Sequence, residues 1–385
     1  MPRDHSQPSV VTPGVAVAGV ATLLLVAAVG ATLFGSATVP GGGPPGDAPA
    51  TETPGPPAVV EDVAVAGDRT VVTYATRGGE PRTFAVEGVA PDRVDPAADW
   101  AYVPRSALPP ALAAAAGNYD AGVGVVGPWA LVGDLAAASR ENGAARTTVV
   151  APTGGDVDPQ KKANVLARFL APYSLQPGPD DRVTLFVAPP SLSADGLWFG
   201  DAGYVTQQGF WDGDVASVWI HEYVHGQQSF ATAPAMAWFV EASATYLSYR
   251  VMAAQYGRVS EADVLDRLAA VPEYDVALAN RSGWDDRQVA YHRGARLLYL
   301  VDAAVRNGSD GAHTLVDVFR AMNAHEGPIT VEAFVALVER YAGEPQGWLR
   351  EAIVGTGRFD DRVADASDAF ADRGVAQIGE FSVPK

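Results

Sequence analysis

The sequence predicts an α+β protein, on three observations. Apolar residues alternate between 59 and 88, as in paired strands. Helical spacing runs through most of 260–354. Between them lies an apolar, helix-forming run, Val218-Trp219-Ile220-His221-Glu222-Tyr223-Val224-His225, which sets two histidines four residues apart. At 385 residues the chain has room for two or three domains and an ample core.

The first 37 residues include a charge-free stretch, 10–34. Its core, 14–34, is 21 residues long, enough to cross a bilayer as a helix. Arg3 precedes it, which favours an N-terminus inside and the bulk of the chain outside the cell. The expectation is a retained single-pass anchor in the cell membrane. The alternative is a secreted protein released by cleavage near Gly35-Ser36-Ala37. Residues 38–57, rich in Pro and Gly, read as a semi-stiff spacer. Residues 58–152 read as a small β-rich domain with strands at 59–65, 70–76 and 81–88, the last two joined around Arg77-Gly78-Gly79-Glu80.

A second domain is expected over 153–358. Residues 159–173 have helical spacing, with Val165, Phe169 and Leu170 on one face. Val183, Leu185 and Val187 alternate along a strand at 182–189. Residues 196–211 form an extended segment containing Gly203-Tyr204-Val205-Thr206, and Asp212-Gly213-Asp214 breaks the chain and offers a capping carboxylate. Ser260 caps a helix, another covers 284–306 and stops at Asn307-Gly308, and amphipathic runs follow at 314–323, 330–342 and 346–354. Residues 359–385 are acidic and poor in large apolar groups, a loosely packed extension.

The absence of cysteine excludes disulfides, thiolate metal sites and cysteine nucleophiles. A net charge of −18 argues against a nucleic-acid partner, whose phosphates need a basic face. The basic residues are 24 Arg and three Lys, and this acidic, lysine-poor balance resembles that of halophilic proteins, from organisms that hold molar salt.

His221 and His225, one turn apart on one helix face, can reach a single ion, and Zn²⁺ suits such a pair. Glu222, beside the first histidine, is placed to take a proton from a water on that ion. Sixteen residues on, Trp238-Phe239-Val240-Glu241-Ala242-Ser243-Ala244-Thr245-Tyr246 opens a second helical run and offers the carboxylate that a His/His/Glu site requires. This segment resembles the Trp-Leu-x-Glu-Gly-x-Ala-x-Tyr stretch of the aminopeptidase N and glycyl aminopeptidase families of thermolysin-like zinc peptidases. The resemblance implies that Glu241 is the third ligand. Tyr291-His292-Arg293-Gly294-Ala295 is similar to the family's Tyr-x-Lys-Gly-Ala, which implies that Tyr291 stabilises the oxyanion. His292, the next residue, is expected to face away.

The resemblance implies a mainly helical, thermolysin-like catalytic domain with an edge β-sheet. On the family pattern, Gly203, Tyr204 and Val205 form an edge strand that binds a peptide or protein substrate by strand addition. Two departures stand out. The interval from His225 to Glu241 is shorter than usual. Gly200 falls where the aminopeptidases carry the glutamate that holds the substrate's amino terminus, with Asp201 beside it. An endopeptidase, or a peptidase of relaxed end-preference, is therefore expected rather than a strict aminopeptidase; a surface protein that keeps the metal without turnover is the reading from another class.

Overall fold

Strand alternation in the first third produces two small sheets. β1 (Val59–Ala66), β2 (Arg69–Ala75) and β3 (Pro81–Glu87) pair antiparallel in the order β1-β2-β3. β4 (Trp100–Pro104), β5 (Val123–Val126) and β6 (Trp129–Gly133) form a second sheet, ordered β4-β6-β5, with the short helix α1 (Pro110–Ala113) between β4 and β5. The computed structural model describes residues 58–370 apart from 67–68, 77, 88–98, 143–144, 171–172, 174, 176–180, 190–191, 193, 207–214, 256–258, 271, 273 and 358–359. The expected anchor and spacer, and the Asp212-Gly213-Asp214 break, thus lie outside the described residues. Among those described, no helix is long and apolar enough to cross a membrane.

The third sheet carries the site. β7 (Leu135–Asn142) and β8 (Ala145–Pro152) form a hairpin, α2 (Pro159–Leu170) leads to β9 (Asp181–Ala188), and β10 (Gly196–Trp198) with β11 (Ala202–Thr206) make a second hairpin. The order is β10-β11-β9-β8-β7, with β8, β9 and β11 parallel and the two outer strands antiparallel. The boundary expected between residues 152 and 153 falls inside this sheet, because β8 hydrogen-bonds to β9 from Ala145↔Asp181 to Val150↔Phe186.

Period-two alternation lets both faces of β9 be buried. Val183, Leu185 and Val187 join the main core with the helices. Phe186 and Ala188 point the other way and meet Trp100, Tyr102 and Leu131 of the second sheet. That sheet alternates in turn, giving Ala101, Val103, Ala130 and Val132 to a core shared with Val63, Val72 and Val86 of the first. Three stacked sheets therefore back the helical layer, and Tyr102 ties two of them by donating from its hydroxyl to the Val187 carbonyl at 3.0 Å.

The helical layer comprises α3 (Val218–Gly226), α4 (Trp238–Gln255), α5 (Glu261–Ala270), α6 (Ala295–Gly308), α7 (Leu315–Asn323), α8 (Val331–Ala342), α9 (Gly347–Val354) and α10 (Asp360–Asp365). Ser260 caps α5 as expected, accepting from the Asp263 amide. The helix expected from residue 284 starts later and enters α6 through a π-helical turn, Ala290–Gly294. Asp302 of α6 is buried and accepts from Tyr246 Oη of α4 at 2.6 Å and from the Leu315 amide at the start of α7 at 2.7 Å. The extension expected to be loose is packed as far as Phe370, whose ring lies tilted against Tyr299 and takes the guanidinium groups of Arg250 and Arg306.

Candidate metal centre

α3 rests on the third sheet and α4 lies across α3. Ser248 of α4 pins the first turn of α3: its hydroxyl accepts from the Ser217 amide and donates to the Ser217 carbonyl. The two chain segments that carry the donor atoms are thereby fixed to each other. His221 and His225, one turn apart, bring their Nε2 atoms to 3.1 Å. Glu241, in the first turn of α4, sets Oε2 at 3.2 Å from each. These are the expected three residues, brought together despite the short interval between His225 and Glu241. Pro234 in a 3₁₀ turn, Pro234–Met236, makes the tight reversal.

The electrostatics follow from burial and close approach. Burial pushes His221 below its ordinary value. Burial acts the same way on His225, but Glu241 more than reverses it, and His225 is pushed up to about 9. Burial would raise Glu241, yet its hydrogen bonds to the two histidines hold it well below the usual carboxylate range. Glu222 lies on the sheet side of α3, 4% exposed, and its Oε2 has no hydrogen-bond partner. Burial, with a smaller push from Glu241, raises it to about 8.

Tyr291 reaches the same place from the π-helical turn. Its ring stacks on His221, with centroids 5.7 Å apart and planes 6° apart. Burial, then the Glu241 carboxylate that it hydrogen-bonds, raises the phenol above its ordinary value, so it remains a donor. Gly294 allows the approach: a Cβ there would stand 2.6 Å from Ala242 Cβ on α4. His292 turns away as expected, its Nδ1 3.2 Å from Tyr274 Oη. Arg293, at the family's lysine position, is buried and donates to the carbonyls of Tyr274 and Gly357.

The donor set fits zinc. Two imidazoles and one carboxylate are borderline and hard ligands of the right kind, and their ligating atoms lie within 4.8 Å of one another. Among the described residues no other group of three such side chains converges in this way. Closed structural sites use four protein ligands, so three leave a position open.

No protein-family model and no curated protein matches the sequence. Solved structures do resemble this one. The M1 zinc metallopeptidase from Deinococcus radiodurans is 20% identical, with 60% of this chain and 54% of that chain covered and a TM-score of 0.45. The aminopeptidase N family protein from Idiomarina loihiensis is 14% identical over 77% of this chain and 60% of that one, with a TM-score of 0.49. Legionella pneumophila aminopeptidase A, in complex with aspartic acid, is 14% identical, with 60% and 29% covered and a TM-score of 0.41. The chain spans about half the length of the Deinococcus proteins that it matches.

One expectation is corrected. Gly203, Tyr204 and Val205 do not form an edge. β11 is buried along its whole length between β9 and β10, and the Trp198 ring covers Gly203. The reason is the hairpin. Residues 196–206 fold back on themselves, pairing Trp198 with Gly203, so the outer position passes to β10, Gly196–Trp198. There Gly196 lies against the catalytic candidate: a Cβ would stand 2.6 Å from Glu222 Oε1. Gly200 and Asp201 sit at the exposed hairpin tip.

A further contributor was not read from the sequence. Gln228, just past α3, accepts at Oε1 from His225 Nδ1 at 3.0 Å and donates from Nε2 to the Val240 carbonyl at 2.8 Å and Ser243 Oγ at 3.0 Å. The available signal is its short spacing, three residues beyond the second histidine, which keeps its side chain within reach of that ring.

Proposed function

We propose that the chain is a zinc-dependent metallopeptidase that hydrolyses peptide bonds of an extended substrate laid along β10. The observation that carries the reading is the convergence of His221, His225 and Glu241 beside a buried carboxylate with an unpartnered oxygen, Glu222. A zinc ion held by the three ligands would polarise a substrate carbonyl and acidify a water. Glu222 takes the proton of the attacking water and returns it to the leaving amine. Its carboxylate, buried beside the three candidate ligands with one oxygen unpartnered, is placed for both transfers. The Tyr291 phenol, kept protonated, donates to the developing oxyanion, where a fixed donor acts more strongly on the transition state than on the ground state.

β10 ends the sheet, so its outer backbone groups are positioned to pair with a peptide, and Gly196 brings that peptide alongside Glu222. Gly200, where the aminopeptidases carry the glutamate that holds the substrate's amino terminus, offers no side chain to a substrate ammonium, which supports internal peptide bonds as substrates, since an unpaired ammonium would lose its hydration without return. We assign the apolar run 14–34 as a membrane anchor that leaves this unit outside the cell. Membrane fractionation with surface proteolysis checks that assignment.

The decisive experiment combines metal analysis with peptide cleavage. Wild-type protein should carry one zinc and cleave peptides, Glu241→Ala should lose the zinc, and Glu222→Gln should keep it but lose turnover. Retention of full activity by Glu222→Gln would overturn the mechanism. An N-acetylated peptide should be cut as readily as its free-amine twin; trimming of the free peptide alone would make the protein an aminopeptidase.

A further inference from the structure

We propose that Gln228 is a positioning residue that fixes the tautomer and ring plane of His225, and that Asn323 on α7 holds Gln228 in place. The inference rests on the metal site proposed above. A carbonyl can only accept a hydrogen bond, so the Gln228 group facing Val240 O must be its nitrogen. The Gln228 oxygen then faces His225 Nδ1, which must carry the hydrogen. His225 therefore directs Nε2 at His221 and Glu241, the orientation that ligation requires.

The amide is itself restrained from both sides. Asn323 Nδ2 donates to the Gln227 carbonyl at 2.9 Å, and Asn323 Oδ1 accepts from the Ser229 amide at 2.9 Å, so the peptides flanking Gln228 are tied to α7. Ser243, two residues after the third ligand, completes the cradle. One side chain thus couples the end of α3 to the first turn of α4, linking two ligands through bonds outside the metal site itself.

Zinc affinity, read by chelator competition with the purified protein and Zn²⁺ alone, tests this. Gln228→Leu should bind zinc roughly ten- to a hundredfold more weakly than wild type, the scale of losing such a partner. Gln228→Glu, which still accepts from Nδ1–H but sets an oxygen against the Val240 carbonyl, should bind zinc more tightly than leucine and more weakly than wild type. The visible spectrum of the Co²⁺-substituted protein should change for leucine and be largely retained for glutamate. Gln228→Ala reports the same loss where leucine prevents folding. Wild-type zinc affinity and cobalt spectrum in a folded leucine or alanine variant would overturn the assignment. A wild-type protein that binds no zinc would instead sink the metal site.

Discussion

Gly196→Ala places one methyl group against the proposed base and isolates its geometry from everything else. The backbone accepts alanine there, because Gly196 is not among the residues with positive φ. The side chain is the difficulty. Its Cβ would stand 2.6 Å from Glu222 Oε1, 2.6 Å from Val218 Cγ1 and 2.7 Å from Glu222 Cγ, where ordinary contact begins at 3.4 Å. β10 and the Glu222 carboxylate must therefore separate by about 0.8 Å, and misplacement on the 1 Å scale costs on the order of a hundredfold in rate. That is about 2.7 kcal/mol of transition-state stabilisation. Overpacking of this size also lowers stability by roughly 1–3 kcal/mol. The clashing atoms are not zinc ligands, so zinc content should stay at one per chain while kcat on an internally quenched peptide falls. A folded, zinc-loaded variant with wild-type kcat would refute the packing of β10 against Glu222.

Tyr291→Phe should keep zinc and lower kcat by roughly ten- to a thousandfold, the scale of losing one oxyanion donor; an unchanged kcat would remove Tyr291 from the mechanism. In metal-free protein, Glu222 (about 8) and His225 (about 9) keep protons that the unfolded chain has released, so stability should fall as pH rises from 6.5 to 8. Above about 8 the half-buried Lys162 begins to act in the opposite sense, because desolvation lowers its pKa. Melting in EDTA should follow this slope, whereas the stabilisation added by zinc should grow with pH, since ligation displaces a proton; an EDTA melting temperature that rises across the window would contradict the assignment. Asp302→Ala should cost about 3–5 kcal/mol by chemical denaturation, because Tyr246 and the first turn of α7 lose a buried anionic acceptor. Stability within 1 kcal/mol of wild type, roughly the range of a surface substitution, would refute that anchor.

His221 and His225 were legible as candidate ligands because helical spacing alone relates them, whereas Glu241, at the start of the next helix, was assigned as the third through resemblance. The strands at 59–66, 69–75 and 81–87 were legible from local pattern too, each having its own alternation and turn residues. What failed was information about neighbours. A strand's sequence does not state its place in a sheet, so Gly203-Tyr204-Val205 looked like an edge when a hairpin puts Gly196–Trp198 outside it. Tyr291 was reached only through resemblance, because its stacking on His221 depends on a π-helical turn that helical periodicity does not encode. Gln228 depends on a contact between the end of one helix and the start of another, and Phe370 on a seat built by residues 71 to 120 positions earlier.

The stacking of three sheets behind the helices limits where the chain can be divided. A fragment beginning at 153 would leave β9 as an open edge, shorn of β8 and β7, with its backbone free to pair with other chains. Starting instead at Leu135 restores that edge but uncovers Phe186 and Tyr204, which lose Trp100, Tyr102 and Leu131. The smallest expressible unit that preserves the metal site therefore reaches back through β4 to the first sheet. The first two sheets, which carry none of the candidate ligands, are what cover the apolar back of the sheet that does.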